Sequence, residues 1–95
     1  MGARVRKRIT FYGWVQGVGF RYRARQAAAL AGATGWAENR DDGAVTREIQ
    51  GTQEQIARVI ALIEEGRFIR IERMEEIDLP VSEDERGFST PDALW

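Results

Sequence analysis

The chain has 95 residues, 43% hydrophobic and 31% charged, with a formal net charge of −1. That size suits one domain, expected to span residues 1–95, and one modest core. It contains no Cys and no His, which excludes disulfides, thiolate nucleophiles, Ser-His and Cys-His catalysis and most transition-metal sites. Any chemistry must therefore come from Arg, Lys, carboxylates, amides, hydroxyls or the backbone.

The N-terminal stretch MGARVRKR is basic but lacks the apolar run of a signal peptide, and no segment has the length of apolar sequence needed to cross a bilayer. A cytoplasmic protein without a membrane partner is expected. Charge is distributed unevenly. Arg4, Arg6, Lys7, Arg8, Arg21, Arg23 and Arg25 all precede the first acid, Glu38, so the first third is purely cationic. Such a bias can attract anions, or it can be a strand face neutralised by acidic neighbours.

In chain order, Val5, Ile9, Phe11 and Val15 alternate with Arg6, Arg8, Thr10 and Trp14, the period of two that predicts a half-buried strand. Lys7 interrupts its apolar face. After Gly17 and Gly19, Phe20, Ala24, Ala27, Ala28 and Ala31 recur at helical spacing, and Gly32 supplies a stop. The alanines predict close but thin packing. ATGWAENRDDGAVTREIQG predicts two strands joined by a tight hairpin at Asp42-Gly43. Thr52 and Gln55 form a T-x-x-Q capping box ahead of Ile56, Val59, Ile60 and Ile63, a helix stripe ending near Gly66. Residues 68–79 read as another strand whose alternation slips between Ile71 and Met74, as a bulge would cause. Residues 80–87 read as loop, and a short last strand is predicted around Phe88, within 87–90.

The order β-α-β-β-α-β, with an added fifth strand, predicts an α+β fold with two helices on one face of a mostly antiparallel sheet. Arg6, Arg8, Thr10, Glu48 and Gln50 fall on the opposite, open face, where solvent is expected.

The stretch GWVQGVGFR, residues 13–21, places glycines between strand and helix. There, backbone N–H groups and the helix N-terminus can cradle an anion, and Arg21 can add a planar two-pronged donor. The loop is neither a Walker A sequence nor a dinucleotide fingerprint, and by itself it fits an ordinary turn equally well. Asn39 stands just before the hairpin in the parity of Gly35 and Ala37. Its amide can accept from water and donate to an oxyanion, or merely bond local backbone. Asp41 and Asp42 lack the register of a calcium loop and read as turn residues. Tyr12, Trp14 and Trp36 read as core or sheet-surface packing, although bases could stack on such rings.

GWVQGVGFR, GWAENRDDGAV and Gly51 together make the chain resemble the acylphosphatase family over nearly its whole length, from the first strand to Phe88. The resemblance implies a ferredoxin-like open-faced α/β sandwich. It implies hydrolysis of the carboxyl–phosphate anhydride of small-molecule acyl phosphates, without metal or other cofactor. A monomer that does not bind nucleic acid is expected. Arg21 matches the family's phosphate-binding arginine, Asn39 its water-orienting asparagine, and Gln16, Gly17, Val18, Gly19 and Phe20 its backbone cradle, which inorganic phosphate or sulfate can also occupy. Arg47 departs from the pattern, falling where the third strand buries an aliphatic residue. Its stem is expected to snorkel under the sheet edge. Ala31, Ala33 and Ala37 replace bulkier residues, and Arg23 and Trp14, near the motif, are candidates for setting substrate preference.

Overall fold

The computed structural model describes residues 3–17, 19–83 and 88–89. Its elements run β1 (Val5–Trp14), α1 (Phe20–Ala31), β2 (Thr34–Asn39), β3 (Val45–Gly51), α2 (Gln53–Glu64), β4 (Arg70–Leu79) and β5 (Phe88–Ser89). They build one five-stranded sheet in the order β4-β1-β3-β2-β5. β1 pairs antiparallel with both β3 and β4, and β3 with β2, while β5 adds a short parallel edge beside β2. This is the α+β fold expected from the pattern of periods, and the ferredoxin-like sandwich that the resemblance implies. Of the predicted final strand, residues 87 and 90 lie outside the described residues, as do 84–87 of the loop before it.

Period-two register sends Ile9 and Phe11 of β1 and Val45 and Ile49 of β3 to one face, where they are fully buried. Phe20, Ala24, Ala27 and Ala28 of α1 and Ile56, Val59 and Ile63 of α2 close over them. Phe20 meets Phe11 with ring centroids 5.1 Å apart and a 57° tilt, which fixes the first turn of α1 beneath the sheet. The capping box of α2 forms in both directions: Thr52 accepts from the Gln55 N–H at 3.1 Å, and the Gln55 side chain accepts from the Thr52 N–H at 2.8 Å. Gly32, in the left-handed region, ends α1 as expected.

The predicted slip in β4 is a bulge. Tyr12 pairs with Arg73 but Gly13 pairs with Ile71, leaving Glu72 as the extra residue. Gly13 is required there, because at φ 130° a Cβ would run into the Arg70 carbonyl oxygen. The hairpin differs from expectation. Arg40 N–H donates to Ala44 O at 2.8 Å, and only Gly43 takes a positive φ, 90°. Asp41, Asp42 and Gly43 thus form a longer turn than a two-residue hairpin, in which Asp42 Oδ1 accepts from the Ala44 N–H at 3.0 Å.

Two expectations about charged residues are corrected. Arg47 does not snorkel: β3 lies between β1 and β2, with Ile9 and Ala37 as register partners, so no edge is within reach. Its side chain is fully buried, with Cζ 5.6 Å from the centroid of the Phe11 ring. Desolvation pushes its pKa down to about 9. The open face is likewise less open than its polarity suggests, since Arg6, Thr10, Glu48 and Gln50 are all buried. Gln50 exchanges two hydrogen bonds with the backbone of Ser82, at 2.7 and 2.8 Å. Ser82, three residues after β4, is therefore held against this face.

Candidate active site

The cationic first third is largely neutralised by its neighbours in space. Glu48 receives Arg6 Nε at 2.9 Å and Arg8 Nη2 at 2.8 Å. Burial opposes its ionisation, but the hydrogen bonds from Arg8 and Arg6 outweigh it and hold the carboxyl below its ordinary value. Lys7 Nζ faces Asp78 at 3.4 Å and Glu76 at 3.7 Å, and Arg4 faces Glu83 at 3.5 Å. Four of the seven early cations, Arg4, Arg6, Lys7 and Arg8, thus face acidic neighbours, as a neutralised strand face requires.

The glycine loop lies between β1 and α1. Val15, buried, roots it in the core. Gly17 and Gly19 take φ values of 72° and 80°, and Val18 lies outside the described residues. Gly19 is the N-cap of α1 and brings no side chain of its own to cover the helix end. The helical ladder begins with Arg23 N–H donating to Gly19 O at 2.9 Å. The N–H groups of Phe20, Arg21 and Tyr22 precede it, at the positive end of the helix dipole. Arg21 sits in this first turn, partly buried, immediately after the Phe20 anchor.

Asn39 is the last residue of β2. It pairs with Val45 and is partly buried. It lines a concavity with Trp36, Arg8, Thr46 and the following turn residues, whereas Gly17 lines a different one, with Trp14 and the α2–β4 connection. What joins the two segments is Gln16. Its Nε2 donates both hydrogens, one to Arg40 O at 2.6 Å and one to Ala44 O at 2.8 Å. The loop that leads to Arg21 is therefore pinned to the hairpin that begins at Asn39. Sequence reading placed Gln16 in the cradle through its backbone and missed this side-chain contact, which spans 24 and 28 residues and leaves no periodic signal.

Of the other residues singled out, Arg23 is turned away. Its Nε donates to Leu62 O at 2.8 Å, and its Nη2 lies 4.0 Å from Glu65, so it serves the C-terminal end of α2. Asp41 and Asp42 belong to the turn, with Arg40 Nη2 3.0 Å from Asp42 Oδ2. Trp14 is not packed in the core but 70% exposed. Among the described residues there is no group of three or more carboxylates placed to hold a metal ion.

The acylphosphatase family model matches residues 7–90, covering both helices and all of the sheet but the first two residues of β1. The chain belongs to the acylphosphatase family. An acylphosphatase of Clostridium perfringens is 42% identical over 87 residues, covering 90% of this chain and 98% of that one. One from Caldanaerobacter subterraneus is 44% identical over 77 residues, covering 80% and 83%. The crystal structure of acylphosphatase from Bacillus subtilis superposes with a TM-score of 0.81 at 30% identity, covering 90% of this chain and 97% of that chain. The family's fold is thus the one described above. No helix among the described residues is long and apolar enough to cross a membrane.

Proposed function

We propose that this acylphosphatase hydrolyses the carboxyl–phosphate anhydride of small-molecule acyl phosphates with Arg21 and Asn39 as its catalytic side chains. The observation that carries the assignment is the double hydrogen bond from Gln16 to Arg40 and Ala44. It ties the loop before α1 to the hairpin that follows Asn39, which supports assigning both side chains to one site.

Water attacks phosphorus, the bond from phosphorus to the acyl oxygen breaks, and its electron pair leaves on the carboxylate. The carboxylate is a stable anion, so its departure needs no general acid. The water's proton passes to a phosphoryl oxygen, consistent with a chain that has no histidine. Arg21 and the backbone N–H groups of Gln16, Gly17, Val18, Gly19 and Phe20 stabilise the equatorial oxygens, where charge accumulates in the transition state. Asn39 accepts from the attacking water and donates to a phosphoryl oxygen, fixing the approach in line with the breaking bond. No metal or cofactor is assigned a part, and inorganic phosphate, as product, is expected to compete for the loop. A cytoplasmic monomer completes the reading.

Phosphate release from acetyl phosphate in the presence of a chelator tests the assignment. Arg21→Ala and Asn39→Ala are each expected to lower kcat/KM by about 10²-fold or more, the cost of losing one well-placed oxyanion donor or its equivalent. A variant within a few-fold of wild type would remove its residue from the mechanism. Sedimentation as a species larger than one chain would overturn the monomer.

A further inference from the structure

The reaction described above uses only the phosphoryl end of the substrate. Beside the loop lies a second concavity of about 730 Å³, lined by Trp14, Gly17, Arg67, Phe68, Ile69 and Arg70, a size typical of small-ligand sites. Trp14 is 70% exposed and Phe68 67% exposed, and neither belongs to the core cluster. Exposed large aromatics that flank one cleft and contribute nothing to the core call for another use. Ile69, partly buried and packed on the core, completes the apolar lining.

The cleft is a constructed feature of the fold. Trp14 ends β1 opposite Arg70 in β4, just beyond the bulge at Glu72. Gly66 N–H donates to Ile63 O at 2.9 Å and Ile69 N–H to Gly66 O at 3.2 Å, which turns the α2–β4 connection towards this end of the sheet. Arg67 places its Cζ 5.6 Å from the centroid of the Phe68 ring, restraining that ring from one side. Among the described residues no carboxylate lines the cleft, and Arg67 and Arg70 do, which suits an anionic substrate. Gly17 is common to the cleft and to the phosphate-binding loop, so an anhydride whose phosphoryl group occupies the loop has the cleft beside it for its acyl group.

We infer that this cleft is the acyl subsite, in which Trp14 and Phe68 receive a flat, apolar acyl group, so that aromatic acyl phosphates are favoured over acetyl phosphate. The inference rests on the proposed phosphoryl site and extends it to the other half of the substrate. Trp14 and Phe68 act on specificity and take no part in the bond-breaking step.

The test compares benzoyl phosphate with acetyl phosphate on the wild type, Trp14→Ala, Phe68→Ala and the double variant. Using the ratio of kcat/KM for the two substrates within each protein removes their difference in intrinsic reactivity. The ratio is expected to fall by about tenfold or more in the double variant, the scale of losing apolar contact with one ring. The change should appear chiefly in KM for benzoyl phosphate, and acetyl phosphate, whose methyl group reaches less of the cleft, should be affected less. Both side chains are mostly exposed, so the variants should keep the wild-type Tm. An unchanged ratio, or a parallel loss on both substrates, would overturn the subsite while leaving the phosphoryl site standing. Concentration-dependent self-association of the wild type that vanishes in the double variant would assign the cleft to a second copy of the chain and also overturn it. Turnover of neither substrate by the wild type would remove the reading on which the inference depends.

Discussion

Replacing Arg47 by methionine is expected to stabilise this protein markedly. The guanidinium is fully buried in the middle of the sheet, and desolvation pushes its pKa down to about 9. Holding it more than three pH units below its ordinary value corresponds to about 5 kcal/mol against the charged form at neutral pH. Methionine keeps the unbranched stem against Ile9 and Ala37 and removes the charge, at the cost of a small void. Exchanges of buried ionic groups for apolar ones gain about 1–4 kcal/mol, so a gain of about 2 kcal/mol is expected, or about 8–16 °C in Tm for a domain of this size. Urea unfolding of both proteins at pH 7 and pH 10.5 supplies the second half of the test. The folded pKa lies below the unfolded one, so between them the unfolded chain binds the extra proton and wild-type stability rises with pH. The penalty is complete below pH 9 and is relieved above it, by about 2 kcal/mol at pH 10.5. The advantage of Arg47→Met should therefore shrink by that amount, while other titrating groups act on both proteins alike. A destabilised variant, or an advantage independent of pH, would refute the reasoning.

Glu48→Gln removes the anion between Arg6 and Arg8 and is expected to cost about 2 kcal/mol or more in urea unfolding at pH 7. Because the folded pKa of Glu48 is depressed, its contribution is present above the ordinary carboxylate range and is lost as pH falls through the folded value. The wild type should thus show an acid-side decline that the variant shows less of. Gly13→Ala forces a Cβ against the Arg70 carbonyl at a positive φ and is expected to cost about 3 kcal/mol in thermal unfolding, combining backbone strain with a displaced bulge. Gln16→Ala should keep the fold but lower kcat/KM for acetyl phosphate about tenfold, since only the link between loop and hairpin is cut; unchanged turnover would show that the link is dispensable.

Much of the architecture could be read from local pattern because local pattern builds it. The alternation through Val5, Ile9 and Phe11 and the stripe of Ile56, Val59 and Ile63 define buried faces directly, and Thr52 and Gln55 cap their helix through a contact three residues long. Even the slip between Ile71 and Met74 was visible, since an extra residue breaks a period of two. What escaped depends on segments meeting across the fold. Gln50 is buried because Ser82 comes back over it, 32 residues later. Arg23, two residues past the motif arginine and so on the other side of the helix, faces α2, where Leu62 offers a carbonyl. Arg47 goes inward because its strand is flanked on both sides, and strand order is not contained in any local window. Of the proposed site, Arg21 and Asn39 were readable as residue types in motifs, whereas the contact through Gln16 could be seen only in three dimensions.

Because one carboxamide ties the β1–α1 turn to the β2–β3 turn, these two stretches cannot drift independently. Fraying at either should expose amide hydrogens in both at the same rate. By the same token, damage to the turn around Asp41 and Asp42, remote in sequence from the glycines, would be felt in the glycine loop.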